Sequence, residues 1–272
     1  MTVPPDRVVP GRAEVGVLLL HGLTGTSAEM APVAAALAGR YPLWSARIAG
    51  HETSVEDLAA SSWEDWYASA AAGADALLRV APRIVVVGLS MGAMLAMRLG
   101  VERREAVAGV ALLSPAIELG RPWLRRLRLP FGLLAAADAG FPPLRRWLAA
   151  LAMTKGGSDI ADLEVRNRHP GYRQVPLRAL LNLLRLQGSA WDAAPALTQP
   201  ALVVHAANDH TCPLAGAERL FARLGSSAKR MVVLQRSFHV VTVDCERDRV
   251  LAALDAFLAA VHPSSTSSED IG

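Results

Sequence analysis

The sequence predicts an α/β fold in which helices cover both faces of a mostly parallel β-sheet. Two observations support this prediction. Short aliphatic runs, which are typical of buried strands, alternate along the chain with longer amphipathic stretches. The 272 residues are 52% hydrophobic and 19% charged, so the chain can bury a sizeable core and the bulk of it is not disordered.

The expected elements follow one another in a strand–helix order. Aliphatic runs predict strands at residues 15–20, 42–48, 84–87, 107–113, 201–205 and 230–234. Apolar residues at helical spacing predict helices at residues 28–37, 62–80, 91–99 and 247–261. Ser61 or Ser62 is a suitable N-cap for the second of these helices.

The strand–helix rhythm breaks between residues 116 and 194. This stretch offers short helical pieces separated by prolines and glycines, and residues 121–190 contain 12 basic and 4 acidic side chains. We therefore expect a basic helical cap at 116–194, inserted into a core formed by residues 1–115 and 195–262. Residues 263–272 are polar and are expected to be a disordered tail. The cap has arginine clusters that fit a solvated face or contact with an acidic membrane surface, at Arg125, Arg126, Arg128, Arg145 and Arg146.

A glycine–serine–glycine motif follows the most aliphatic of the predicted strands. Gly88, Ser90 and Gly92 form a G-x-S-x-G sequence directly after residues 84–87 and directly before a helical stretch. Such a turn is strained and holds the serine hydroxyl clear of the backbone, which suits a nucleophile. The strand before the motif and the helix after it make the signal more specific than the letters alone. We therefore expect Ser90 to be a catalytic nucleophile.

A serine nucleophile needs a general base and a carboxylate that orients the base. His239 follows the last predicted strand, and Asp209 follows the strand at 201–205. Both positions are at the carboxyl ends of strands, where parallel sheets place their ligands. Asp244 is an alternative acid, although its place near the start of the last helix also suits a purely structural role. The sequence thus predicts His239 as the base and Asp209, or else Asp244, as the acid.

Two backbone amides are candidates for an oxyanion hole, the pair of donors that stabilises the charged oxygen of an acyl-transfer transition state. One is the amide of Met91, directly after the serine, and the other is the amide of Leu23, in the glycine-containing loop after the first strand. His21, in the same loop, is expected to brace the loop and not to act as a base.

The chain resembles the α/β-hydrolase superfamily and, within it, bacterial carboxylesterases related to monoacylglycerol lipases. The likeness covers roughly residues 15–115 and 195–261, and the matching stretches are LLLHGLTGTS at 18–27, AGH at 49–51, WEDW at 63–66, GLSMG at 88–92, ND at 208–209 and HVVTVD at 239–244. The resemblance implies the α/β-hydrolase fold and serine carboxylic-ester hydrolysis through an acyl-enzyme. It assigns the family's nucleophile, acid, base and oxyanion amides to Ser90, Asp209, His239, Leu23 and Met91.

The expected substrate is a small-molecule or lipid-like ester, and no cofactor or metal is expected, because the histidines lack metal-ligand spacing. A net charge of +3 gives no argument for nucleic acid. No apolar run in the sequence is long enough to span a bilayer, so we expect a cytoplasmic protein with Cys212 and Cys245 unpaired. The sequence leaves the oligomeric state open.

Two other functions remain open at this stage. A thioesterase or an acyltransferase would use the same three side chains, because the geometry of the cap selects the acceptor. A catalytically inactive binding protein on the same scaffold is the second alternative. The intact set of serine, acid and histidine argues against it.

Overall fold

One parallel sheet dominates the computed structural model, which describes residues 5–120 and 148–261. The strands of these residues are β1 (Val15–Leu20), β2 (Leu43–Ser45), β3 (Arg83–Leu89), β4 (Val107–Leu113), β5 (Ala152–Thr154), β6 (Gln174–Pro176), β7 (Ala201–Ala206) and β8 (Lys229–Leu234). Six of them form the sheet in the order β2-β1-β3-β4-β7-β8, and all neighbouring pairs are parallel. The predicted α/β class with a mostly parallel sheet is confirmed.

Helices cover both faces of the sheet. Those of the described residues are α1 (Ala31–Leu37), α2 (Val55–Ala60), α3 (Trp63–Leu78), α4 (Met91–Glu102), α5 (Leu163–Arg168), α6 (Leu177–Ala193), α7 (Leu214–Arg223) and α8 (Arg247–Val261). Alternate residues of a strand point to opposite faces. In β1, Leu18 and Leu20 pack on the side of α3 and α4, whereas Val17 and Leu19 pack on the side of α1 and α8. Strands buried on both faces must be apolar throughout, which explains the aliphatic runs in the sequence.

The start of α3 shows how a local signal fixes an element. The Ser62 hydroxyl accepts a hydrogen bond from the Asp65 amide, and the Asp65 carboxylate accepts one from the Ser62 amide at 2.8 Å. This reciprocal capping box satisfies two amides that a helix leaves without partners. Trp66 and Leu77, on the buried face of the same helix, pack against the sheet.

The described part of the stretch between β4 and β7 lies against the core. Strands β5 and β6 pair antiparallel, and α6 packs on α4 through buried residues that include Leu183 and Leu186. Arg178 of α6 donates to three carbonyl oxygens at the end of α2, at 2.6–2.9 Å, those of Ala59, Ala60 and Ser61. These residues belong to the expected cap at 116–194, whereas its arginine clusters and the expected tail at 263–272 lie outside the described residues.

Candidate active site

Ser90 lies on the turn between β3 and α4, and its backbone has φ 56° and ψ −113°. A residue with a side chain rarely adopts such a conformation, because it is strained. A Cβ atom at Gly88 would collide with the carbonyl of Gly92, and one at Gly92 would collide with the carbonyl of Leu20. Glycine is therefore required on both sides of the serine. The Ser90 amide donates to the Leu113 carbonyl at 2.8 Å, which ties the turn to β4.

His239 reaches the serine from the loop after β8. Its Nε2 lies 2.8 Å from Ser90 Oγ, and its Nδ1 lies 2.7 Å from Asp209 Oδ2. Because an ionised carboxylate only accepts hydrogen bonds, Nδ1 carries the proton of the neutral ring. Nε2 is then left with a lone pair that faces the serine hydroxyl. This tautomer is the one able to take the proton of Ser90.

Asp209, in the loop after β7, has a fully buried side chain. Its Oδ1 accepts hydrogen bonds from the amides of Thr211 and Cys212 at 2.8 and 2.7 Å. Burial by itself would raise the pKa of Asp209, but the imidazole of His239, together with His205 and the Cys212 amide, outweighs burial and holds the pKa below its ordinary value. Burial would likewise lower the pKa of His239, but the Asp209 carboxylate raises it above the ordinary value. The pair therefore favours an ionised acid beside an imidazole that readily accepts a proton.

Asp244, the alternative acid of the sequence analysis, has a different set of partners. Its two carboxylate oxygens accept hydrogen bonds at 2.7–3.1 Å from the amides of Ala161, Asp162, Phe238 and Cys245. These bonds hold the loop that carries His239 against the start of α5. The structure brings the carboxylate of Asp209, and not that of Asp244, within hydrogen-bond distance of His239.

Hydrogen bonds hold the carbonyl of the peptide bond between Gly22 and Leu23. The Gly22 carbonyl accepts hydrogen bonds from His21 Nδ1 at 2.9 Å and from the Gly25 amide at 3.2 Å. In a trans peptide the carbonyl and the following N–H point in opposite directions. Fixing the Gly22 carbonyl therefore fixes the direction in which the Leu23 N–H points.

The two predicted oxyanion amides belong to the residue after Ser90 and to the residue after Gly22, which packs against Ser90. Met91 directly follows Ser90, and Gly22, which precedes Leu23, is so close to the serine that a Cβ atom on it would lie 3.3 Å from Ser90 Cβ. Within the described chain, neither the Leu23 amide nor the Met91 amide donates to a protein acceptor. Two amide donors next to a serine are what an oxyanion would need.

His21 and His51 are buried and neutral. His21 Nε2 accepts a hydrogen bond from the Ile48 amide at 3.3 Å, so its proton is on Nδ1, which faces the Gly22 carbonyl. Burial lowers the pKa of His21 to about 4 and that of His51 to about 3. The two rings pack edge to face with centroids 5.0 Å apart. With both nitrogens engaged, His21 holds the loop and is not available as a base.

Two acidic side chains at the site have no motif that predicts them. The Asp159 carboxylate accepts hydrogen bonds from the amides of His210 and Thr211, in the loop that carries Asp209. The backbone carbonyl of Asp159 accepts one from the Val240 amide, in the loop that carries His239. Asp159 also binds the side chains of His210 and Thr211. Glu29 accepts a hydrogen bond from the Gly22 amide. Only the folded chain brings these partners near, so sequence spacing carries no signal for either acid.

The described residues contain no cluster of three or more side chains suited to hold a metal ion. They also include no helix capable of traversing a lipid bilayer. Cys212 is buried and Cys245 is exposed, and both thiols are free.

The chain is similar to a known protein family and to a characterised lipase. Residues 11–246 match the family model described as serine aminopeptidase, S33 (Hydrolase_4). The chain is 31% identical over 246 residues to a thermostable monoacylglycerol lipase of Bacillus sp. (strain H-257), with 90% of each chain covered.

The fold of this chain is similar to the folds of solved structures. A structure from work on LipS and LipT, two metagenome-derived lipolytic enzymes, has a TM-score of 0.80 and 27% sequence identity, and covers 96% of this chain and 100% of that chain. A monoacylglycerol lipase of Paleococcus ferrophilus has a TM-score of 0.77 and covers 94% of this chain and 98% of that chain. Its 16% identity supports the fold alone.

Proposed function

Because the chain belongs to the serine aminopeptidase (S33) family of α/β-hydrolases, we propose that it is a carboxylic-ester hydrolase that works through an acyl-enzyme on Ser90. The observation that carries this proposal is the hydrogen-bonded chain from Ser90 Oγ through His239 to Asp209, with distances of 2.8 and 2.7 Å. Similarity to a monoacylglycerol lipase over 90% of the chain supports an ester as the substrate.

In the proposed first half-reaction, His239 Nε2 takes the hydroxyl proton while Ser90 Oγ bonds to the ester carbonyl carbon. The carbonyl oxygen becomes an oxyanion and accepts hydrogen bonds from the Leu23 and Met91 amides. The imidazolium then gives its proton to the ester oxygen as the carbon–oxygen bond breaks. An alcohol leaves, and the acyl group stays on Ser90.

The second half-reaction repeats these steps with water. His239 takes a proton from water as the water oxygen attacks the acyl carbon, and the proton then returns to Ser90 as the carboxylic acid leaves. Asp209 keeps the imidazole in the required tautomer and stabilises the imidazolium in both halves.

We propose monoacylglycerol-like and other small lipid esters as the first substrates to test, because the chain is similar to a monoacylglycerol lipase. A cytoplasmic location is part of the same proposal. The thiol of Cys245 is exposed and free, and exposed free thiols are typical of proteins in reducing compartments.

The test is hydrolysis of p-nitrophenyl esters with acyl chains of about two to sixteen carbons, a range wide enough to size a lipid-like pocket, by the wild type and by Ser90→Ala. We expect the wild type to hydrolyse the series and the variant to be slower by about 10⁴-fold or more. A fluorophosphonate probe should label the wild type and not the variant. An inert wild type that the probe also fails to label would overturn the proposal.

Acyl thioesters and p-nitroanilides of the same chain length distinguish related chemistries. We expect the oxygen ester to have the highest kcat/KM of the three substrate classes. A clear preference for the thioester would assign the same three side chains to a thioesterase, and a clear preference for the anilide would favour a peptidase.

A further inference from the structure

A buried carboxylate lies against the loop that carries the Leu23 amide. Glu29, in the short turn Ser27–Met30, is only 5% exposed. Its Oε2 accepts a hydrogen bond from the Gly22 amide at 3.0 Å. Burying a carboxyl group is costly unless its oxygens find donors, and the proposed mechanism gives Glu29 no part in the proton transfers.

The loop that carries Leu23 packs closely against this carboxyl group. A Cβ atom at Gly25 would collide with the Glu29 carboxyl, so the lack of a side chain at residue 25 lets the carboxyl group pack against the backbone. A Cβ atom at Gly22 would lie 3.4 Å from Glu29 Oε2 and 3.3 Å from Ser90 Cβ. Gly22 is thus within contact distance of both Glu29 and the nucleophile.

We infer that Glu29 is a positioning residue of the oxyanion hole, because its carboxyl group holds the Gly22 amide and so anchors the residue whose carbonyl sets the direction of the Leu23 N–H. This inference rests on the proposed function. The Gly22 carbonyl is bound by His21 and Gly25, and the Gly22 amide is bound by Glu29. Both polar groups of residue 22 are therefore held, which leaves the next peptide little freedom to turn.

Four charged or titratable side chains act on the Glu29 carboxyl group. His169 Nε2 lies 3.5 Å from Oε1 and is buried with it. Burial raises the pKa of Glu29 to about 7, against the lowering effects of the Gly22 amide, Lys155 and His239, and Glu52 adds to the rise. The Glu29 charge in turn contributes to the raised pKa of His239.

The first test compares Glu29→Ala with Glu29→Gln. The alanine variant loses the acceptor of the Gly22 amide, and we expect its kcat to fall about 10- to 100-fold, as for a misplaced catalytic group, with KM close to that of the wild type. An alkyl trifluoromethyl ketone forms a tetrahedral oxyanion on the serine, so its Ki should rise in parallel with the loss in kcat. The glutamine variant keeps an acceptor oxygen and should retain most of the wild-type kcat.

The matched control is Asp65→Ala, which removes a carboxylate from the capping box of α3. It should lower Tm without changing kcat or the ketone Ki. Unchanged kcat and Ki in Glu29→Ala, or a rise in KM alone, would overturn the inference. So would a loss of kcat that the ketone Ki does not follow.

The pH profile of Glu29→Gln is a second test and needs no destabilising change. Removing the Glu29 charge should lower the pKa of His239 and move the acid limb of kcat/KM to lower pH. A limb that moves to higher pH would contradict this effect of the Glu29 charge. If Glu29→Ala does not fold, Glu29→Met, which fills similar space without an acceptor for the Gly22 amide, takes its place, and an unchanged kcat and ketone Ki in Glu29→Met would overturn the inference.

Labelling of Ser90 separates this inference from the proposed function. The rate of fluorophosphonate labelling depends on the oxyanion amides whatever the natural substrate is, so it should be slower in Glu29→Ala than in the wild type. A wild type that is labelled but hydrolyses no ester would refute the proposed function and leave the labelling comparison valid. Equal labelling rates would refute the role of Glu29.

Discussion

Two carboxylates near the loop of His239 are expected to have different roles, one in the reaction rate and one in stability. Asp209→Asn should lower kcat by about 10⁴-fold, because an amide in that place favours the wrong imidazole tautomer, with little change in Tm. Asp244→Asn should lower Tm more and kcat less, because its amide nitrogen would face backbone donors now bound by a carboxylate oxygen. Steady-state kinetics and thermal unfolding of both variants measure the contrast. A more severe loss of kcat in Asp244→Asn would contradict it.

The pH dependence of the rate follows from the state of His239. The ring must be neutral at Nε2 to take the serine proton, so kcat/KM should fall as the pH drops through the pKa of His239. The Asp209 carboxylate raises that pKa, so the midpoint should lie above 6.5, the ordinary histidine value. In Asp209→Asn the midpoint should move down. A wild-type midpoint below 6.5 would show that burial outweighs the carboxylate.

Sequence spacing could predict that Ser90 lies on a strained turn, because such a turn requires glycines at fixed positions. It could also predict that His239 and Asp209 lie near this turn, because strand ends converge at one edge of a parallel sheet. It could not predict Glu29 or Asp159. Both accept hydrogen bonds from main-chain amides, which every residue has, and the side chains that also bind Asp159 lie 51 and 52 residues away in the sequence. The choice between Asp209 and Asp244 likewise depends on which of two loops faces the imidazole.

Among the elements, the turn into α4 leaves little room for substitution. Gly92→Ala places a Cβ atom against the Leu20 carbonyl, so we expect loss of activity together with a lower Tm. Gly188→Ala on α6 is the matched control, since a Cβ atom there meets no atom within 4 Å. It should raise the free energy of unfolding by up to about 1 kcal/mol. Normal activity in Gly92→Ala would refute this account of the turn.

Helix α6 stabilises the end of α2 through one side chain. Arg178 is buried, and a methionine in its place would leave the carbonyls of Ala59, Ala60 and Ser61 without that donor. We expect Arg178→Met to lower the free energy of unfolding by about 2 kcal/mol or more. Arg185→Met on the same helix removes only a surface ion pair with Glu64 and should cost less than about 1 kcal/mol. Denaturant unfolding of both variants makes the comparison.

Elements with a strong apolar pattern are the ones that the sequence predicts well. The last helix is observed at the predicted residues, and the strands at 15–20 and 107–113 likewise. Helix α2 has only six residues, too few to show a period. Strand β5 is exposed throughout, so its side chains carry no apolar signal of the sheet that it forms with β6.

For the molecule as a whole, the buried Glu29 should affect stability as the pH changes. Its pKa is about 7 in the folded chain and near 4.5 in the unfolded chain. Between these values the folded state binds more protons, so the free energy of unfolding falls as the pH rises. Glu29→Gln should therefore gain stability relative to the wild type between pH 5 and pH 8. Urea unfolding at both pH values gives this difference, and its absence would mean that Glu29 titrates normally.

The order of the strands has a consequence for protein synthesis. Ser90 and His239 lie 149 residues apart in the sequence, and the base is carried by the loop after β8, an edge strand that pairs with β7. A chain made from its N-terminus contains the residues of β1, β3 and the serine turn long before those of β8 exist. We therefore expect the emerging polypeptide to carry the proposed nucleophile without its proposed base until β8 and the loop that carries His239 have been synthesised.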